Sequence, residues 1–169
     1  MYESKNLKIT RGFDNKPEIS FRDEIYVFVF EGRECFMMVD EYNNMTLIKD
    51  YLNDDEDELY AAKRIFESYI GIEVNGLHSF GVLETAKGKM NKRIHLFKSA
   101  YINRAITKDR IINEKIRITK IDIGEIVKMI HRNEITDADT VAAVGKYLIE
   151  QSMTLYNNFG SDGKLPYNR

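Results

Sequence analysis

Two blocks of opposite charge hold most of the residues of this chain that could do chemistry. Between Asp40 and Glu58 the acids Asp40, Glu41, Asp50, Asp54, Asp55, Glu56, Asp57 and Glu58 face the lone base Lys49. Between Thr85 and Lys120 the balance reverses: Lys87, Lys89, Lys92, Arg93, Lys98, Arg104, Lys108, Arg110, Lys115, Arg117 and Lys120 stand against Asp109 and Glu114. A concentrated basic surface suits a phosphorylated ligand, because fixed positive charge raises the local concentration of anions. The plainer alternative is a solvated acidic loop beside a row of solvated strand faces. Other reactive residue types are dispersed. His78, His95 and His131 fall on separate expected elements at no spacing suited to a metal. Cys35, the only cysteine, cannot form an internal disulfide and reads as a small buried hydrophobe.

The elements that must position these residues follow from apolar periodicity. Residues 1 to 22 carry short apolar pieces broken by Gly12 and Pro17, which predicts a short edge strand and a loop. Ile25 to Phe30 and Cys35 to Val39 are β-branched, aromatic and apolar runs around the turn Glu31-Gly32-Arg33, a hairpin signal. Both runs are apolar on successive residues, so both faces of their sheet should be covered. The acids from Asn53 to Glu58 suit the positive end of a helix dipole, with Asn53 or Asp54 as N-cap, a helix to about Ile70 and a left-handed cap at Gly71. Ile72 to Leu83, Arg93 to Ile102 and Lys115 to Ile121 read as strands. Ile123, Ile126, Val127 and Ile130 mark a further helix, and Thr136-Asp137 caps a last one that carries Val141, Val144, Leu148 and Ile149.

The segment from Asp50 to Ile72 resembles the Nudix box. Set on this sequence, the glycine of the box falls on Asp50, its first glutamate on Glu56, its Arg-Glu on Arg64-Ile65, its aliphatic position on Phe66, its Glu-Glu pair on Ser68-Tyr69 and its closing Gly-aliphatic pair on Gly71-Ile72. The scaffold positions match, while Ile65, Ser68 and Tyr69 stand where three glutamates are expected. Three further stretches are similar to the ADP-ribose pyrophosphatase branch of that family. They are Val39 to Asn43 with Thr46 to Asp50, Ala86 to Phe97, and Arg132 to Thr140, so the resemblance covers roughly residues 22 to 150. It implies the Nudix fold, an α/β/α sandwich around a mixed β-sheet, as a single domain over 1–155 followed by a polar tail over 156–169.

What the resemblance implies about chemistry turns on the missing acids. In the family, glutamates on one helix face bind a divalent metal that neutralises a diphosphate and positions water. At about 100° per residue, positions 65, 68 and 69 share one arc, expected to face the cleft, and Glu67 points away from it. Glu56 is left as a weak metal candidate, with Arg64 as its salt-bridge partner. Lys92 stands where the branch often has a glutamate, and Lys87, Gly88, Lys89 and Lys92 lie on the loop expected to overhang the cleft. With Glu41 they form the implied ligand side, where lysine charge would replace the metal. The leading expectation is a catalytically degenerate protein that binds a nucleotide-type molecule such as ADP-ribose without hydrolysing it. Its rivals are an Mg²⁺-dependent hydrolase working through a displaced carboxylate (Glu56, Glu67 or Glu84) and a protein-interaction module. A homodimer is consistent with relatives of this kind.

Composition narrows the setting. With 169 residues, 43% of them hydrophobic and 31% charged, the chain is one globular domain's worth. Charged residues interrupt any N-terminal apolar run and no stretch is long enough to span a bilayer, which predicts a cytoplasmic protein with no membrane partner. A net charge of −2 and sparse aromatics in the basic block, Phe97 and Tyr101, weigh against nucleic acid.

Overall fold

A computed structural model of the chain describes residues 2–4, 7–11, 17–85, 90–107 and 114–159. In chain order the elements are β1 (Tyr2–Ser4), β2 (Leu7–Arg11), β3 (Pro17–Phe21), β4 (Glu24–Glu31), β5 (Glu34–Asp40), β6 (Met45–Tyr51), α1 (Glu58–Ile70), β7 (Ile72–Asn75), β8 (His78–Thr85), β9 (Met90–Ser99), β10 (Tyr101–Thr107), β11 (Ile116–Asp122), α2 (Ile123–His131) and α3 (Ala138–Phe159). The main sheet is mixed. Its strands run β1-β2-β3-β9-β4-β6-β5-β11, and β8 pairs the other edge of β9. β9 runs parallel to β3 and β4 and antiparallel to β8.

Strand β4 shows why the sheet is covered on both sides. Its alternate residues Ile25, Val27 and Val29 enter one core cluster with Ala61, Ala62, Ile65 and Phe66 of α1. Tyr26, Phe28 and Phe30 enter a second cluster with Ile126 of α2 and Ala143 and Val144 of α3. Every residue from Ile25 to Phe30 is buried, because a strand with helices on both faces has no solvent side. This is the α/β/α layering that the continuous apolar run implies.

The hairpin at Gly32-Arg33 forms, but β4 and β5 pair only through Phe30↔Cys35 and Glu31↔Glu34. Beyond that they splay and β6 inserts between them, pairing β4 from Val27 to Glu24 and β5 from Met37 to Val39. The N-terminal region, expected as one short strand and a loop, holds three strands. Pro17 is the first residue of β3, where its missing N–H does not break the ladder. The expected strand Ile72 to Leu83 is two, divided at Gly76, whose φ of 67° turns the chain. The expected strand Arg93 to Ile102 is also two. At its corner the Ser99 hydroxyl accepts from the Tyr101 N–H at 3.0 Å and donates to the Asn75 carbonyl at 2.5 Å, so β10 leaves the main sheet and pairs with β7. Helix α3 extends through Phe159. No helix of the described residues is long and apolar enough to cross a membrane.

Candidate functional site

Helix α1 is positioned by its ends. Its N-cap is Asp57, not Asn53 or Asp54: the Asp57 carboxylate accepts from the N–H groups of Leu59 and Tyr60 at 3.0 and 3.1 Å. Asn53 instead accepts a hydrogen bond from Arg22 on its amide oxygen, and its own N–H donates to Glu56. Gly71 closes the helix in the left-handed conformation and donates to the Glu67 carbonyl, as expected. Arg64 holds Glu56 through Nε at 2.6 Å and Nη2 at 2.8 Å, and donates also to the Tyr51 carbonyl. That fork keeps the Glu56 carboxyl below the usual glutamate range. The pair joins the loop before α1 to the helix and is structural in geometry.

Of the arc carrying residues 65, 68 and 69, Ile65 faces the core, while Ser68 and Tyr69 are half-buried. Ile65 is fully enclosed in the apolar cluster under α1. The Ser68 hydroxyl donates back to the Ile65 carbonyl at 3.0 Å. Tyr69 is half-buried against the same cluster, and its phenol pKa is raised by burial and by the neighbouring Asp50. Glu67 points away from the arc, as expected: it accepts from the Val74 N–H at 3.2 Å and lies 3.7 Å from Lys63. Among the described residues no group of three or more His, Cys, Asp or Glu side chains is arranged to hold a metal ion.

Lys92 lies elsewhere than expected. It shares the strand face of Ile94 and Leu96, which is the face toward α3. Its ammonium meets Asp139 of α3 at 2.7 Å and Glu24 of β4 at 2.9 Å. Burial pushes its pKa down, but the hydrogen bonds it donates to Asp139 and Glu24 outweigh that and raise it. The sheet thus separates Lys92 from residues 65 and 69, which lie under α1 on the opposite face. Lys87, Gly88 and Lys89 lie outside the described residues. Glu41 is exposed and pairs with Lys115 at 3.1 Å. Glu84 lines a cavity of about 410 Å³ with Ser20, Asp23 and Arg93. Among the described residues most of the basic block is engaged: Arg93 with Asp23, Lys98 with Glu150, and Arg104 and Lys120 with Glu31, besides Lys92 and Lys115. The charge reversal along the chain is therefore largely internal pairing.

The structure brings together polar groups from stretches that the sequence singled out separately. A cavity of about 460 Å³ opens between the β5–β6 turn and the start of α3, lined by Met38, Asp40, Asn44, Met45, Thr46, Lys49, Ile116, Glu134, Thr136 and Asp137. Lys49 donates to the Tyr26 hydroxyl at 2.8 Å and lies 3.7 Å from Asp137. Burial raises the Tyr26 phenol far above the usual range, and the Asp137 and Glu24 charges add to this, so Tyr26 stays neutral. Burial pushes Asp137 up, but hydrogen bonds from Thr140 and the Lys49 charge hold it below the usual range. Asp40 is held low by Asn44 and the turn amides. Both carboxylates are thus ionised acceptors. The signals available in the sequence were the stretches Val39 to Asn43, Thr46 to Asp50 and Arg132 to Thr140, which hold Asp40, Thr46, Glu134, Thr136 and Asp137 of this lining, and Lys49, a single base inside an acidic block.

No protein-family model matches this chain, and no curated protein matches its sequence. Solved structures do. The fold is similar to that of an ADP compounds hydrolase at TM-score 0.70 and 9% identity, over 91% of each chain. It is similar also to a NUDIX hydrolase from Nitrosomonas europaea at TM-score 0.61 and 12% identity, over 76% of this chain and 89% of that one. The chain has the Nudix fold.

Proposed function

We propose that this Nudix-fold chain is a cytoplasmic protein that binds a nucleotide-type small molecule, ADP-ribose or another nucleoside-diphosphate derivative, without hydrolysing it by a metal-dependent route. The observation that carries the second half is Ile65. It is fully enclosed in apolar neighbours, at the helix position where the resemblance calls for a metal-binding carboxylate. Ser68 and Tyr69 add no acid, Glu67 is held by Val74 and Lys63, and Glu56 is held by Arg64. The displaced-carboxylate route loses Glu56 and Glu67 to these commitments. The ligand class is supported by the fold shared with an ADP compounds hydrolase and by a cavity in the size range of small-molecule sites, roughly 300 to 1,000 Å³.

Calorimetric titration of ADP-ribose in Mg²⁺ and again in EDTA, with chromatography of the recovered ligand, tests this reading. Saturable binding of equal affinity in both buffers with intact ligand is expected. Mg²⁺-dependent cleavage overturns the non-hydrolytic half, and absence of heat in both buffers overturns ADP-ribose as the ligand.

A further inference from the structure

We propose that the groove between the first turn of α1 and the β7–β8 turn is a docking surface for a basic peptide segment that carries an apolar anchor. Leu59 continues the helix stripe of Ala62 and Phe66, which are buried, yet Leu59 itself is 47% exposed and its neighbour Tyr60 is 66% exposed. With Val74 and Leu77 these two side chains line a cavity of about 330 Å³. Gly76 lines it too, and the Tyr101 ring, 72% exposed, stands against that glycine. Two tyrosines exposed to this extent leave roughly 200 to 350 Å² of ring-bearing surface in water. With Leu59 added, the patch reaches the size that marks an interaction site, about 300 to 600 Å². Exposed apolar residues scattered singly are ordinary, but these three gather around one groove.

The charge around the groove selects the occupant. Asp57 lines it with a carboxylate committed to the α1 cap. Asp54 and Asp55 lie just before it, within about 11 Å along the chain. Their carboxylates are exposed and, among the described residues, make no hydrogen bond or ion pair. The one cation on the lining, Lys63, is already shared between Glu67 and Glu73. Surplus negative charge beside exposed rings repels nucleic acid and an anionic membrane surface, and it attracts Lys and Arg. An arriving Arg or Lys can pair with Asp54 or Asp55 and lie over the face of Tyr60 or Tyr101, where a cation is favoured. A leucine or phenylalanine of the same segment then fills the groove between Leu59 and Leu77. This groove shares no lining residue with the cavity beside α3, so the docking surface stands or falls apart from the nucleotide-binding reading.

The test is titration at physiological salt, read by fluorescence anisotropy and by amide-resolved NMR, with a labelled octapeptide Lys-Arg-Lys-Leu-Phe-Lys-Arg-Lys. Two controls accompany it: one with Leu-Phe replaced by Ser-Ser, and one with every base replaced by Glu. The first peptide is expected to bind about tenfold more tightly than either control and to shift the amides of Asp57 to Lys63 and of Asn75 to Leu77. Leu59→Ser with Tyr60→Ser is expected to weaken it about tenfold. Asp54→Asn with Asp55→Asn is expected to weaken it about fivefold and to flatten its salt dependence; asparagine tolerates the left-handed φ of 60° that Asp55 adopts. All four side chains are exposed, so the urea midpoint should not move in either variant. Equal binding of the Ser-Ser control overturns the proposal by reducing the surface to an acidic patch. Absence of binding, or amide shifts confined to other parts of the chain, overturns it as well. Dimerisation in sedimentation equilibrium that Leu59→Ser with Tyr60→Ser abolishes would assign the groove to a second copy and overturn the peptide partner.

Discussion

Ile65 is where a restored carboxylate would have to stand, and its surroundings set the outcome of restoring it. Ile65→Glu places an ionisable group in a fully enclosed apolar cluster; leaving it unpaired costs about 3 kcal/mol or more. The variant is expected to unfold at markedly lower urea and to gain no Mg²⁺ affinity by calorimetry. A well-folded variant with new Mg²⁺ binding would show that the arc can open. Glu56 makes the opposite kind of prediction. Its folded pKa is depressed by the Arg64 fork, so its contribution is present above the unfolded-state glutamate pKa and is lost as pH falls through the lower folded value. Glu56→Gln is expected to cost about 2 kcal/mol at neutral pH, and the gap to wild type should close as urea midpoints are followed down through the acidic range. A gap constant with pH would mean that the pair is worth nothing as an ion pair. This pairing was legible in the sequence because the resemblance pairs Arg64 with the first glutamate of the box, Glu56. The partners of Lys92 were not, since Glu24 and Asp139 come from distant parts of the chain and meet only when α3 docks.

At the scale of elements, α3 is tied to the sheet by that buried charge group. Lys92→Met leaves Glu24 and Asp139 without their shared cation, and one oxygen of Glu24 already has no hydrogen-bond partner. The loss is expected to be about 3 kcal/mol, since stranding a largely buried charge is the expensive case. Pairing Lys92→Met with Asp139→Asn in a double-mutant cycle should recover part of it, and strict additivity would deny the coupling. Strand β8 offers a backbone counterpart at Gly81, with φ of 137° inside a register shift. A Cβ there would run into the tip of the Lys146 side chain, but a flexible lysine end can move aside, whereas the backbone conformation cannot be relieved. Gly81→Ala is therefore expected to cost about 1 to 3 kcal/mol, and Lys146→Ala should not rescue it; full rescue would assign the cost to the clash. Apolar runs and caps made the layers legible, because Ile25 to Phe30 can be apolar throughout only under two covers. The divisions at Gly76 and Ser99 were not legible. They depend on a left-handed turn and on a hydroxyl bridging to Asn75, and neither interrupts the apolar pattern.

For the molecule as a whole, the core under α1 reaches the polar cavity beside α3: Met38 and Ile116 of that core line its wall together with Met45 from the opposite cluster. Ile65 and Phe66 fill the first with apolar side chains where the resemblance would put a metal. A ligand that binds only the folded chain stabilises it by mass action, about 2.7 kcal/mol at a hundredfold excess over Kd. For a domain of this size that corresponds to roughly 5 to 10 °C in thermal midpoint. ADP-ribose at that excess is expected to raise the midpoint equally in EDTA and in Mg²⁺, and Mg²⁺ alone is expected to leave it unchanged, since no set of carboxylates among the described residues converges to hold the ion. A midpoint that rises with Mg²⁺ alone would require a metal site in the folded chain. A rise with ADP-ribose confined to Mg²⁺ buffer would mean that the metal arrives with the ligand and that the lysines do not replace it.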